Sequence, residues 1–188
     1  EHLVDFLPSP VVVQERTPEG TVRYVLSSPP KSIGSIKSFW GHFGIMVRAY
    51  TYIRMLGETG VRQAAEHAVL NANYLLSRIR HAYHLPYDRV CKHEFVVEGH
   101  LPDAPGVHAL DIAKRLIDYG VHPPTNYFPL VVSEALMIEP TETESKQSLD
   151  AYADALLSIA EEAKTQPELL HSAPHTAPVR RLDEVGAA

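Results

Sequence analysis

The sequence predicts an α+β domain in which helices cover an antiparallel sheet. Four stretches, 45–56, 61–80, 107–119 and 142–164, repeat apolar residues at helical spacing. Between them, residues 91–97, which end in Phe95-Val96-Val97, and residues 130–138, rich in Val, Leu and Ile, have the composition of strands. The order is an arm, two helices, a strand, a helix, a strand or strand pair, and a last helix, which suits an antiparallel sheet carrying its helices. With 188 residues and 45% hydrophobic content, the chain is long enough to bury such a core without disulfide or metal staples.

Residues 3–13 place Pro8 and Pro10 before Val11-Val12-Val13, an extended arm that ends in a strand. Residues 21–26 alternate weakly and pair with it across the turn signal Pro18-Glu19-Gly20, and Pro29-Pro30 closes this unit. Residues 32–44 mix glycines and serines with Phe39, Trp40 and Phe43. That composition makes an irregular connector with Trp40 and Phe43 as packing anchors. The first helix carries Met46, Tyr50, Ile53 and Leu56 on one face, with Arg48 and Arg54 off it, and ends at Gly57. After a short break at Gly60, a stripe runs from Val61 through Ala65, Val69, Ala72, Leu75 and Leu76 to Ile79. Asn71 and Asn73 fall in mid-helix, where asparagine is a poor helix former, so both call for hydrogen-bond partners. His81 and His84 suit the exposed, negative end of that helix.

The strand over 91–97 leads to Gly99. A His-Glu-x-x-His zinc helix would need histidine where Val97 stands, so no metal site is expected at His93-Glu94. The third helix, with Val107, Leu110, Ala113, Leu116 and Ile117 on its apolar side, stops at Gly120, and Pro123-Pro124 forbid its continuation. His122, Thr125 and Asn126 therefore occupy a stiff corner. Residues 130–138, broken only by Ser133-Glu134, read as two short strands or one bent strand. Thr141 and Glu144 have capping-box spacing, so a helix is expected over 142–164, burying Leu149, Tyr152, Ala153, Leu156, Leu157, Ala160 and Ala163. The tail from Ser172 to Leu182 contains Pro174 and Pro178 and supports no long regular element.

Net charge is −6, and residues 139–168 hold eight acids against Lys146 and Lys164, so the whole surplus belongs to one helix with a solvated face. No basic stripe tracks a phosphate backbone, and nucleic-acid binding is not expected. No apolar run approaches the roughly 18 residues of a membrane span, and the N-terminus lacks a signal layout. The single cysteine, Cys91, fits a reducing compartment, and a cytoplasmic location is expected. The chain begins Glu1-His2-Leu3, in what already reads as structured sequence, and is expected to be a piece of something longer.

A turn, a strand pair and a capped helix account for nearly every residue over 119–145. Three runs there nonetheless carry a resemblance: His122-Pro123-Pro124-Thr125, Tyr127-Phe128-Pro129 and Met137-Ile138-Glu139-Pro140-Thr141-Glu142-Thr143-Glu144. They resemble the C-terminal signature of glycine dehydrogenase (decarboxylating), the P-protein of the glycine cleavage system, and above all its separate second-subunit form. The resemblance covers essentially the whole chain. It implies the small C-terminal domain of a fold-type I pyridoxal-phosphate enzyme. That enzyme is an oxidoreductase of glycine catabolism, which decarboxylates glycine and passes the aminomethyl group to the lipoyl arm of H-protein. The implied partners are the large pyridoxal-phosphate-binding domain, the other P-protein subunit and lipoylated H-protein. Residues 1–44 are then an arm and connector from the large domain, 45–171 the C-terminal α+β domain, and 172–188 an extended tail.

The resemblance also implies site residues. His122, Thr125 and Asn126 from the corner, Trp40 and His42 from the connector, and His175 from the tail are expected at the cofactor or substrate cleft. Glu139, Thr141, Glu142 and Glu144 are expected to support it. His42 stands where the family has asparagine. No catalytic residue is expected in this chain, because the family's Schiff-base lysine lies in an Asn-Leu-His-Lys-Thr run before a glycine-rich loop. Neither is present; Lys31, Lys37, Lys92, Lys114, Lys146 and Lys164 lie in other contexts. Pyridoxal phosphate is thus expected in the intact enzyme and not on this chain alone, which is expected to be inactive. Two other classes stay open. One is an assembly module that completes a subunit interface. The other is the small domain of another pyridoxal enzyme, an aminotransferase or amino-acid decarboxylase, with Arg180 or Arg181 as a substrate-carboxylate arginine. The Glu-Pro-Thr-Glu run at 139–142 argues against the latter.

Overall fold

The computed structural model describes residues 3–36 and 41–187, and the chain divides into two compact units, residues 1–55 and 56–188. In the first unit a short 3-10 turn, Val4–Phe6, precedes strand β1 (Val11–Arg16), which pairs antiparallel with β2 (Val22–Ser27) in a register running from Val11↔Ser27 to Arg16↔Val22. The expected hairpin is therefore present. Its turn is closed by Thr17 N–H donating to Thr21 O at 2.8 Å and by Gly20 at φ 82°, a left-handed conformation that glycine adopts without penalty. The register puts Val12, Leu26, Tyr24 and Val22 on one face, and that face is open: Val12 is 67% and Tyr24 71% exposed. No described residue of this unit is buried.

Helix α1 (Phe43–Ile79) is interrupted at Gly57, whose φ of 65° and ψ of −177° are not helical. The stop expected there occurs, whereas Gly60 continues the second helical segment without a break. In the second unit, β3 (Phe95–Glu98), β4 (Thr125–Asn126) and β5 (Ala135–Ile138) form an antiparallel sheet in the order β3-β5-β4. Around it lie the end of α1, α2 (Ala109–Asp118), α3 (Lys146–Thr165) and the short α4 (Pro167–His171), with α5 (Glu184–Ala187) closing the chain. The core joins Leu75 and Ile79 of α1, Val97 of β3, Ile112 and Leu116 of α2, Leu136 of β5 and Leu156 and Ile159 of α3, each at most 1% exposed. Tyr83 crosses that core and donates its hydroxyl to Leu156 O at 2.8 Å; burial pushes its ionisation far upward, so it remains a neutral donor.

Two local expectations change. Residues 130–134 are a turn, not a strand: Leu130 and Val131 are exposed, and Val132 N–H donates back to Pro129 O at 3.0 Å. The chain reverses at Glu134, which sits at φ 49°, because its carbonyl accepts from Gly99 N–H (2.7 Å) and its carboxylate from Ala109 N–H (2.7 Å). The last long helix begins at Lys146, capped by Ser145, whose hydroxyl accepts from Ser148 N–H at 3.1 Å. Thr141 and Glu144 instead close a turn before it, with Glu144 N–H donating to Thr141 O at 3.2 Å. The tail is also fastened. Asp118 Oδ1 accepts from the amides of His175 (2.6 Å) and Thr176 (2.8 Å), and Arg181 spans Asp111, Ala173 O and Leu170 O.

Candidate functional site: a proline-walled cavity

Gly120, at φ 74°, ends α2 with its N–H on Ile117 O (2.9 Å), while Val121 N–H returns to Leu116 O (3.2 Å). The chain then runs extended through Pro123 and Pro124 into β4. Antiparallel pairing of Thr125 with Met137 lays this corner beside the end of β5, where Glu139-Pro140 leaves the sheet. The two stretches form two walls of a cavity of about 420 Å³, and Leu75 of α1 with Ser148, Leu149 and Tyr152 of α3 completes it. Asn71 holds the rim: its side-chain amide donates to Thr141 O (2.9 Å) and Glu144 O (3.3 Å). Asn73 does the same for the irregular segment leading into β3, exchanging bonds with Cys91 N–H (3.1 Å) and O (2.8 Å). Both asparagines thus have the structural partners their mid-helix positions call for. Burial also pushes the Cys91 thiol up, away from a reactive thiolate.

The cavity lining combines carboxyl groups with apolar residues. Glu139 and Glu144 contribute carboxyl groups, His122 an imidazole and Thr125 a hydroxyl, and among the described residues no Lys or Arg lines it. Burial pushes the Tyr152 phenol up, so it presents a proton rather than a charge. Across the Glu139-Pro140-Thr141 ridge lies a second recess of about 360 Å³, floored by Ala64, Ala65, Ala68 and Val69 and edged by Lys92, His93 and Glu142. The imidazole of His93 is 3.9 Å from Glu139 there.

The structure therefore brings His122, Thr125, Glu139, Thr141 and Glu144 around one cavity and puts Glu142 in the adjoining recess. Asn126 does not line either; its Oδ1 is buried without a hydrogen-bond partner. His175 is bound to the tail anchor, its backbone on Asp118 and its Nε2 2.9 Å from Leu169 O. His42 belongs to the first unit, and Trp40 lies outside the described residues. Tyr152 and Ser148 are cavity residues that sequence reasoning placed only on a helix. Their signal was positional, since both lie within two turns of the Ser145 cap. Among the described residues, no three His, Cys, Asp or Glu side chains are grouped to hold a metal ion, and no helix is long and apolar enough to cross a membrane.

The family model described as glycine dehydrogenase, C-terminal domain, matches residues 64–175, a span that contains the whole cavity. The chain belongs to this family. Three relatives carry the description probable glycine dehydrogenase (decarboxylating) subunit 2. That of Lysinibacillus sphaericus is 56% identical over 99% of this chain and 38% of its own length. The Alkaliphilus oremlandii protein is 59% identical over 99% of this chain and 37% of its own. The Chlorobaculum tepidum protein is 57% identical over the full chain and 39% of its own. The chain accordingly spans about two fifths of the length of these glycine dehydrogenase relatives. A crystal structure of glycine decarboxylase (P-protein) of the glycine cleavage system, in inhibitor-bound form, shares the fold at a TM-score of 0.59 and 18% identity, over 85% of this chain and 37% of that one. The α+β arrangement with an antiparallel sheet is thus that of the C-terminal part of the P-protein family.

Proposed function

We propose that this chain is the C-terminal part of the second subunit of a glycine-decarboxylating P-protein and forms one wall of its cleft. The observation that carries this reading is the convergence of two separate sequence runs, 122–125 and 137–141, on a single cavity. The enzyme is an oxidoreductase that decarboxylates glycine and transfers the aminomethyl group to the lipoyl arm of H-protein. Pyridoxal phosphate, when bound in the intact enzyme, supplies the electron sink for that chemistry. The cavity itself does not fit that cofactor. A phosphate calls for cations or converging backbone amides, and this lining offers Glu139 and Glu144 with neither Lys nor Arg. Cofactor binding therefore falls to the large domain, and this chain alone is inactive.

Within that frame, His122 and Thr125 face the cleft from the corner that Gly120 and the two prolines hold rigid. Glu139, Thr141, Glu142 and Glu144 shape the rim, pinned by Asn71. Residues 1–44 serve as the arm and connector of the large domain, 45–171 as the C-terminal domain and 172–188 as the tail. A large domain covering this unit accounts for the lack of any buried residue among its described residues. The working enzyme is a cytoplasmic complex with the other P-protein subunit and H-protein.

Mixing this chain with the lysine-bearing remainder of a relative's subunit 2, the partner subunit and lipoylated H-protein tests the reading by glycine-dependent exchange of carbon dioxide. Exchange appears only in the complete mixture; its absence there, from a folded chain, overturns the proposal. His122→Ala is expected to lower that exchange at least about tenfold at unchanged melting temperature, the scale of a lost positioning contact. Unchanged turnover would remove His122 from the cleft. A second reading, an assembly module without chemistry of its own, is favoured by the open apolar face of Val12, Tyr24 and Leu26. It predicts association with the other subunits and no change of exchange in the His122 variant.

A further inference from the structure

Beyond the cavity itself, the edge of the sheet next to it is built as a contact surface. Strand β4 is the last strand of its sheet, and the chain leaves it through Tyr127 at φ 59° and re-enters β5 after Glu134 at φ 49°. Two non-glycine residues in the left-handed region bracket one loop, fixed there by Tyr127 N–H on Ala135 O and by the bonds of Glu134 to Gly99 and Ala109, so the loop is held in one conformation. What this loop presents is apolar: Phe128 is 54%, Leu130 87% and Val131 78% exposed. Large apolar side chains grouped on one turn and turned to solvent mark a binding surface rather than a free one. The same edge carries the buried Asn126 Oδ1 with no hydrogen-bond partner.

We infer that the loop over 127–134 is the docking contact for the part of subunit 2 that the relatives carry beyond their match to this chain. The inference rests on the P-protein reading above. The chain aligns along 99% of its own length with only 38% of the Lysinibacillus sphaericus protein, so a larger body of the same subunit is available to cover the loop. The location gives the contact a purpose. Thr125, which lines the cavity, is separated from the loop only by Asn126, and Met137, its β5 partner, also lines it. A body seated on Phe128 and Leu130 therefore sits close along the chain to β4, whose Thr125 lines the cavity. Docking and closure of the cleft become one event.

The probe is the portion of the Lysinibacillus sphaericus subunit 2 outside its match, titrated with this chain and followed by calorimetry, with carbon dioxide exchange measured in the full mixture. The test variant is the double substitution Phe128→Ser, Leu130→Ser. Both side chains are exposed, so the melting temperature of the variant is expected to match the parent. Val90→Ser, at a site 85% exposed elsewhere on the same unit, is the control. The expected result is at least tenfold weaker binding and matching loss of exchange for the double variant, with the control unchanged; roughly this follows from losing the burial of two large apolar side chains. Equal binding by parent and double variant overturns the inference and leaves the P-protein reading intact. Self-association of the chain that the double variant abolishes, without binding of the probe, assigns the loop to a second copy and also overturns it. Neither binding nor exchange with the parent removes the P-protein reading and this inference together.

Discussion

Replacing Asp118 by alanine is expected to release the C-terminal tail and to cost the second unit about 3 kcal/mol. The carboxylate side chain is 3% exposed and fully engaged. Oδ1 accepts from His175 N–H (2.6 Å), Thr176 N–H (2.8 Å) and the Thr176 hydroxyl (3.0 Å), and Oδ2 accepts from Arg115 Nη1 (3.0 Å). Hydrogen bonds to a charged group contribute about 1.5–3 kcal/mol each, and removing one partner of a buried pair costs about 3–5 kcal/mol. These losses overlap, because the freed tail amides find water and Arg115 keeps Glu162 at 2.9 and 3.0 Å, which brings the figure to the lower end of about 3 kcal/mol. At roughly 2–4 °C per kcal/mol for a chain of this length, the melting temperature should fall by about 6–12 °C. Limited trypsin digestion provides the local readout. In the parent, Arg181 is tied by Nε to Ala173 O and by Nη2 to Asp111 and Leu170 O, so cleavage after Arg180 and Arg181 is slow; in the variant it should be fast. A variant that melts within about 2 °C of the parent and is cut at the parental rate would refute the tail anchor. The pH dependence has a definite sign. Burial alone would raise the Asp118 pKa, but the amides of Thr176 and His175 and the Arg115 guanidinium outweigh it and hold the group below its ordinary value. A depressed folded pKa gives stabilisation that is complete above the unfolded value of ~3.9 and is lost as pH falls through the folded one. The gap between parent and variant should therefore close in acid.

Three further outcomes follow from other contacts. Ser145→Ala should cost about 1 kcal/mol in chemical denaturation, the usual loss for a missing helix cap, and Thr141→Ala less than half of that; the reverse order would restore Thr141 as the cap. Gly99→Ala should cost at least about 2 kcal/mol, because its Cβ would stand 2.8 Å from Ala109 Cα, a backbone atom that cannot move aside; a denaturation midpoint equal to the parent's counts against the packing described. Glu162→Gln should lose about 1–3 kcal/mol above pH 5, since it removes the charge paired with Arg115 and puts an amide donor in place of one of the two acceptor oxygens, and the deficit should shrink in acid because Arg115, the largest influence, holds the Glu162 pKa below the ordinary value. A pH-independent deficit in the thermal melts would contradict that assignment.

The parts of this fold that were legible in the sequence are those set by single residues or by strict periodicity. Gly57 and Gly120 stop helices because their backbones take positive φ, and Pro123-Pro124 leave the chain no course but extension. Spacing gave most of the buried stripe of α3, namely Leu149, Ala153, Leu156, Ala160 and Ala163, but Tyr152 and Leu157 are only half-buried, and Ala155 and Ile159 are buried without having been expected. Elements decided by distant partners were less legible. Leu130 and Val131 have strand composition but are exposed, because Gly99 and Ala109, far off in sequence, capture Glu134 and force the turn. Thr141-x-x-Glu144 has the letters of a capping box, yet Asn71 claims the Thr141 and Glu144 carbonyls and the helix waits for Ser145. The cavity was half visible: the corner and the Glu139-Pro140-Thr141 run were marked by their residue types. Tyr152 was hidden in an ordinary helical stripe, and Asn126 carries no letter-level sign of its unpaired oxygen.

The uneven burial along the chain has a consequence for how it breathes. From Leu3 to Asn71 no described residue is buried, and the first buried side chain is Ala72, one helical segment past the break at Gly57. Amide protons over that first third open by local fluctuations rather than by loss of the core, so deuterium should enter them early, while amides of Leu156, Ile159 and Leu116 wait for global unfolding. Covering the hairpin with a partner would slow the first class alone. Exchange rates in β1 and β2 thus serve as a gauge of whether the chain has found the rest of its enzyme.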